Sequence, residues 1–146
     1  MVANPTPGVV AAWAELVRTQ RTLLDRVEAR LKRSGLPPLD WYHVLYEIDR
    51  SPQGMLRQSG VQNRTCIAQY NVCRLVDRLE REDLVERHQC QQDGRNNVLT
   101  ITAKGRALRR RMWPVYAAAI GEQFGARLTA DEVEQLAVLL VKLQSG

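Results

Sequence analysis

The sequence predicts a mainly helical chain with one small β-hairpin, in the order helix, helix, helix, helix, hairpin, helix, helix. Three observations predict it. Over most of the chain, apolar residues recur at three- and four-residue steps, the period of an α-helix. That period breaks between Leu84 and Ile101, where two short β-prone stretches flank a polar tract containing Asp93-Gly94. Late in the chain, Thr129-Ala130-Asp131-Glu132 has the form of a capping box and so marks a helix start.

The first helix is expected from Val9 to Arg33, with Val9, Trp13, Leu16, Val17, Leu23, Leu24, Val27 and Leu31 on its apolar side. Gly35 and the Pro37-Pro38 pair stop it. Pro5 and Pro7, ahead of it, read as a mobile tail. A second helix is expected from Leu39 to Arg50, built on Trp41, Val44, Leu45 and Ile48 and ended by Pro52 and Gly54. Met55 to Asn63 reads as a short third helix, despite the poor helical interior of Ser59-Gly60. From Gln69 to Glu82, Val72, Leu75, Val76 and Leu79 form one stripe, with Tyr70, Arg74, Asp77 and Arg81 opposite.

Leu84–Arg87 and Val98–Ile101 are the two expected strands, with a hairpin tip near Gln92 to Asn96. Thr102 is placed to cap a helix running to about Phe124, with Pro114 inside it as a kink or joint. The capping box opens the last helix on Val133, Leu136, Leu139, Leu140 and Leu143, a stripe that needs a surface to cover.

The 146 residues fit one domain. A formal charge of +5 favours a polyanionic partner, although solubility alone would also account for it. No apolar run is long enough to cross a bilayer, and the start lacks a secretory pattern, so the chain reads as cytoplasmic. Of its three cysteines, Cys66, Cys73 and Cys90, at least one is unpaired, and no structural disulfide is expected. A zinc site from Cys66, Cys73, His88 and Cys90 would lack any Cys-x-x-Cys pair. His43 and His88 sit in no triad or metal pattern, and there is no Gly-rich phosphate loop. Neither an enzyme nor a cofactor or metal site is expected.

Two helices joined by a short turn and followed by a two-stranded hairpin form the winged helix-turn-helix order. A helix fits the major groove of DNA and presents its N-terminal residues to base edges. Gln69, Tyr70, Asn71, Cys73 and Arg74 occupy the first two turns of the fourth helix. Gln and Asn match adenine edges and Arg matches guanine. At the hairpin tip, Arg95, with Asp93 beside it, has the chemistry to enter the electronegative minor groove. Arg57, Arg64 and Lys104 are candidate phosphate contacts. Trp41, Tyr42, His43, Tyr46, Trp113 and Tyr116 line an aromatic effector pocket or pack as core and interface. The Arg109-Arg110-Arg111 run reads as a solvated face.

The run from Arg74 to Arg87 resembles the helix-to-wing junction of the MarR family. Asp93-Gly94-Arg95 is similar to that family's Asp-x-Arg wing tip, and Leu99 to Arg106 to its entry into a long dimerisation helix. The resemblance implies a single MarR-type domain over 1–146, with dimerisation helices at about 9–34 and 103–144 and a DNA-binding lobe at about 39–102. It further implies an intertwined homodimer of six-helix subunits that binds a palindromic operator. Repression would be relieved by a small phenolic or aromatic ligand or by thiol oxidation. By position it places Gln69, Tyr70, Asn71, Cys73 and Arg74 in the major groove and Arg95 in the minor groove. Cys73 stands where the family commonly has serine or threonine, and Asp83 replaces a common glycine. Two alternatives remain at this level: a redox-responsive regulator working through Cys73, and a winged-helix adaptor that binds protein rather than DNA.

Overall fold

A computed structural model describes residues 2–89 and 97–146. Its helices are α1 (Pro7–Arg33), α2 (Leu39–Asp49), α3 (Gln58–Arg64), α4 (Gln69–Arg81), α5 (Ala103–Ile120) and α6 (Ala130–Gln144). Three strands, β1 (Met55–Arg57), β2 (Val85–His88) and β3 (Val98–Ile101), form one antiparallel sheet in the order β1-β3-β2. The fold is the winged helix-turn-helix expected from the sequence. The expected hairpin tip, Gln92 to Asn96, lies outside the described residues, as do Asp93 and Arg95.

Local differences from expectation have local causes. Pro7 is not tail but the first residue of α1: its missing N–H costs nothing there, and Thr6 Oγ1 accepts from Val9 N at 3.3 Å. Met55–Arg57 is a strand rather than the first turn of α3. Its residues pair with β3, Met55 opposite Thr100, Leu56 opposite Leu99 and Arg57 opposite Val98. Only a partner more than forty positions along the chain makes this extended segment favourable, so no local pattern announces it. The helix expected to reach Phe124 ends at Ile120 and passes into a wider π-type turn, Gly121–Gly125, bounded by two glycines. It runs through Pro114 without interruption.

The chain divides into two compact units, residues 31–115 and residues 1–30 with 116–146. In the first, α2, α3, α4 and the sheet enclose Val44, Leu45, Ile48, Val61, Val72, Val76, Leu79, Leu84, Val85 and Leu99, all essentially buried. In the second, Val27 and Ala119 are the only buried apolar side chains among the described residues. Arg30 pairs with Glu122, and Arg26 Nη1 donates to Gln123 Oε1 at 3.0 Å. The expected capping box is present: Thr129 Oγ1 accepts from Glu132 N at 3.2 Å, and Glu132 Oε1 accepts from Thr129 N at 2.9 Å.

The end of α4 and the start of α5 lock together. After Glu82, Asp83 takes a left-handed φ of 61°, and Leu84 N donates back to Leu79 O at 2.9 Å, the reversal of a Schellman motif. A glycine is favoured at such a position; Asp tolerates it better than most side chains. Thr102 Oγ1 donates to Asp83 O at 2.8 Å and accepts from Gly105 N at 3.0 Å, so one hydroxyl caps α5 and ties it to the turn. Lys104 Nζ donates to Glu82 O at 3.0 Å. Gly105 itself lies so close that a Cβ would stand 2.2 Å from the Leu84 carbonyl oxygen.

A second clamp joins α2 to α5. Asp49, the last residue of α2, accepts from Arg106 Nε at 3.0 Å and from Arg109 Nε at 2.7 Å. Arg109 is therefore an ion-pair partner with a largely covered side chain, not part of a solvated face; Arg110 and Arg111 are exposed. Burial alone would push the Asp49 carboxyl up, but the two guanidinium hydrogen bonds and charges outweigh it and hold the group below its ordinary value.

Two outcomes follow from these clamps. Gly105→Ala, which drives a methyl into backbone, should cost at least about 2 kcal/mol in denaturant unfolding. Loss under half of that would mean that the α4–α5 contact is loose. Asp49→Asn should cost about 2 kcal/mol near neutral pH. Because the folded carboxyl titrates below its unfolded value, the wild-type advantage is complete above about pH 4 and disappears as pH falls further. A gap that stays constant into strong acid would show that the carboxylate charge is not its source.

Candidate nucleic-acid interface

The helix α4 owes its place to one stripe. Val72, Val76 and Leu79 are buried and Leu75 is half-buried, while Gln69, Tyr70, Asn71, Cys73 and Arg74 are all exposed. At about 100° per residue, Tyr70, Arg74, Asp77 and Arg81 fall diametrically opposite the buried stripe. Gln69 and Cys73 lie on one flank of that outer face, Asn71 and Arg78 on the other. The flanks meet different neighbours. Gln58 Nε2, from the first turn of α3, donates to Cys73 Sγ at 3.4 Å. The Arg78 guanidinium stands 5.8 Å from the ring centre of Trp41 on α2.

On the outer face, Arg74 Nη1 donates to the Tyr70 hydroxyl at 3.4 Å, and its guanidinium carbon lies 5.4 Å from the Tyr70 ring centre. Asp77 is paired with Arg87 of β2, which ties the middle of α4 to the wing strand. At the N-terminus, Ala68 provides no side-chain cap and the first turn holds no acidic residue. The leading N–H groups and the positive end of the helix dipole are thus uncompensated by side chains, a setting that favours an anion.

Charge is divided as unevenly as the core. Residues 31–115 contain fifteen Lys and Arg against nine Asp and Glu, and the other unit contains six against seven. The unit that carries α4 therefore accounts for the entire positive surplus of the chain. A surplus confined to one unit is a field for a polyanion rather than a general aid to solubility.

The structure brings Gln69, Tyr70, Asn71, Cys73 and Arg74 together on one exposed end of α4. Arg57 is exposed at the β1–α3 boundary. Arg64 is exposed as well, but its Nη1 donates to Ser51 Oγ at 2.9 Å, and the buried Ser51 in turn donates to Glu47 O at 2.7 Å. Lys104 is occupied in capping α4. Arg64 and Lys104 thus hold the lobe together, whatever else they touch. Arg95 lies outside the described residues.

Of the expected effector residues, His43, Tyr46 and Trp113 gather around Tyr42, with ring centres 5.8, 5.7 and 5.9 Å from it; the last two are stacked on it. Trp41 instead lies beneath Arg78. Tyr116 belongs to the other unit, where it lines a cavity of about 270 Å³ with Leu23, Leu24, Val27, Ile120, Gln123 and Phe124. Burial pushes its phenol up from the ordinary value. Cys66 and Cys73 are free, exposed thiols. Among the described residues, no three His, Cys, Asp or Glu side chains gather to hold a metal ion, and no helix is long and apolar enough to cross a membrane.

Sequence reasoning missed Gln58, the Trp41–Arg78 contact and Asp49 with its two arginines. Each joins residues far apart in sequence. The spacing of Arg106 and Arg109, one helical turn apart, was the one available hint that both could reach a single carboxylate.

Comparison with known proteins agrees with this geometry. Residues 34–96 match the MarR family. Over 111 residues, covering 76% of this chain and 70% of the relative, the chain is 32% identical to the uncharacterized HTH-type transcriptional regulator YkoM of Bacillus subtilis (strain 168). The fold is similar to that of Sco3205, a MarR family transcriptional regulator from Streptomyces coelicolor solved in complex with DNA. The TM-score is 0.88 and identity 23%, over 99% of this chain and 91% of that one. It is also similar to Sco5413, a MarR family transcriptional regulator from the same organism, with a TM-score of 0.81 and 27% identity over 95% and 94% of the two chains. The chain belongs to the MarR family of winged helix-turn-helix, DNA-binding transcriptional regulators.

Proposed function

We propose that this protein is a homodimeric repressor that reads a palindromic operator, each subunit placing the N-terminal turns of α4 in a major groove. The observation that carries the reading is the exposed Gln69–Arg74 surface of α4, set on the unit that holds the positive surplus. Gln69 and Asn71 supply amides for adenine, Arg74 a fork for guanine, and Cys73 a weaker polar contact. Arg57, with Arg64 and Lys104 where their remaining donors allow, neutralises phosphate. Arg95 enters the adjacent minor groove. Two copies of α4 would stand about 34 Å apart, one turn of DNA.

The dimer is supported by what residues 1–30 and 116–146 leave uncovered. Trp13 is 67% exposed and Leu143 71%, and Val9, Val10, Val17, Val138, Leu139 and Val141 are more than half exposed. Apolar surface on that scale, in a unit with scarcely any core of its own, calls for a partner, and a second copy supplies the same helices in return. Release by a small aromatic or phenolic compound is part of the same proposal. The cavity beside Tyr116, at about 270 Å³, exceeds an apolar cavity of roughly 150 Å³ that holds benzene.

The test is binding to DNA upstream of the protein's own gene, by mobility shift and sedimentation. A dimer bound to a symmetric site is expected, with affinity falling steeply as salt rises. Arg74→Ala should cost about 1–3 kcal/mol and relax discrimination at one base pair per half-site. Arg95→Ala should weaken binding with little change in preference. Unchanged binding by Arg74→Ala would refute the assignment of α4, and a monomer on DNA would refute the symmetric operator.

A further inference from the structure

Tyr70 is the most exposed aromatic side chain among the described residues, at 70%, and it lies on the face of α4 opposite the buried stripe. It contributes nothing to the core. Its ring and hydroxyl both meet Arg74, four residues on, through the 5.4 Å cation–π contact and the 3.4 Å hydrogen bond. The other arginines of α4 are held differently. Arg78 rests on Trp41 of α2, and Arg81 Nε reaches back to Asp77 O at 3.4 Å. Arg74 has only Tyr70 as a described partner.

Taking α4 as the reading helix, we propose that Tyr70 is a positioning residue for Arg74 rather than a reader of bases. A guanidinium on a long flexible stem samples many directions in water. Two parallel hydrogen bonds to guanine demand one of them. The guanidinium lies within cation–π range of the phenol ring and the phenol hydroxyl accepts one N–H, which restricts the stem before DNA arrives. The other four of the five guanidinium donors remain free for the base. A cation–π contact is strongest where water is excluded, so closure of the groove over the pair reinforces it. The discrimination attributed to Arg74 thus belongs to the pair.

The experiment uses the full chain and a duplex selected by the wild-type protein from a randomised library, with every single-base-pair substitution of that duplex. Arg74→Ala first identifies the base pair at which preference is lost. Tyr70→Ala is expected to lose preference at that same base pair, by about two- to fivefold. The double variant should lose no more there than Arg74→Ala alone. Tyr70→Phe, which keeps the ring, should restore most of the loss. In the free protein, the Arg74 side-chain protons should show an upfield ring-current shift that vanishes in Tyr70→Ala, a signature independent of DNA. Additive losses in the double variant, a changed preference at a different base pair, or no ring-current shift in wild type would overturn the proposal. If Arg74→Ala loses preference nowhere, the reading of α4 itself fails, whatever the ring-current shift shows. Unfolding midpoints matching wild type, expected for so exposed a residue, exclude misfolding as the cause.

Discussion

The turn at residues 82–84, held against the first turn of α5, fixes where α4 ends, and most of the interface depends on it. Three groups meet there: the Asp83 carbonyl, the Thr102 hydroxyl and the Gly105 backbone. Because Thr102 both caps α5 and holds the turn, neither helix can shift along its axis without breaking both interactions. Leu84, carried round by the left-handed residue, is buried and leads directly into β2. One junction thus sets the direction of α4 and the base of the wing together. A reading helix must hold side chains to within a fraction of an ångström of base edges, so rigidity at its far end matters as much as chemistry at its near end.

The two units have opposite physical characters. Residues 31–115 hold nearly all of the fully buried apolar side chains and all of the net charge. The remaining residues are nearly neutral and leave their apolar faces open. The first has a closed apolar core of its own; the second leaves large apolar side chains such as Trp13 and Leu143 exposed. The positive surplus and the exposed apolar surface therefore belong to different units, the first suited to a polyanion.

Much of this was visible in the sequence where the determinants are local. The stripe of Val72, Val76 and Leu79, the Thr102 cap and the Thr129 capping box all act within a few residues, and each is where it was expected. The fold class and the outward set on α4 were therefore readable, since amphipathic period alone decides which side chains face out. What escaped depends on distant partners. Met55–Arg57 becomes a strand only because β3 offers an edge. Arg109 leaves solvent only because Asp49 terminates α2 nearby. Lys104 and Arg64 each also have an internal partner, a carbonyl and a hydroxyl oxygen within their own lobe, that charge alone did not indicate. A lone basic residue does not say whether its partner is inside or outside the molecule. At position 83 the chain needs a left-handed residue, and Asp supplies it.

Amide hydrogen exchange, on the whole protein with and without its DNA, tests most directly that the outer N-terminal face of α4 is the surface that meets nucleic acid. Protection on binding should concentrate in residues 58–74, spanning α3 and the first turns of α4, with α6 little changed. Protection confined to α1 and α6, with the Gln69–Arg74 amides exchanging as fast as in the free protein, would contradict it.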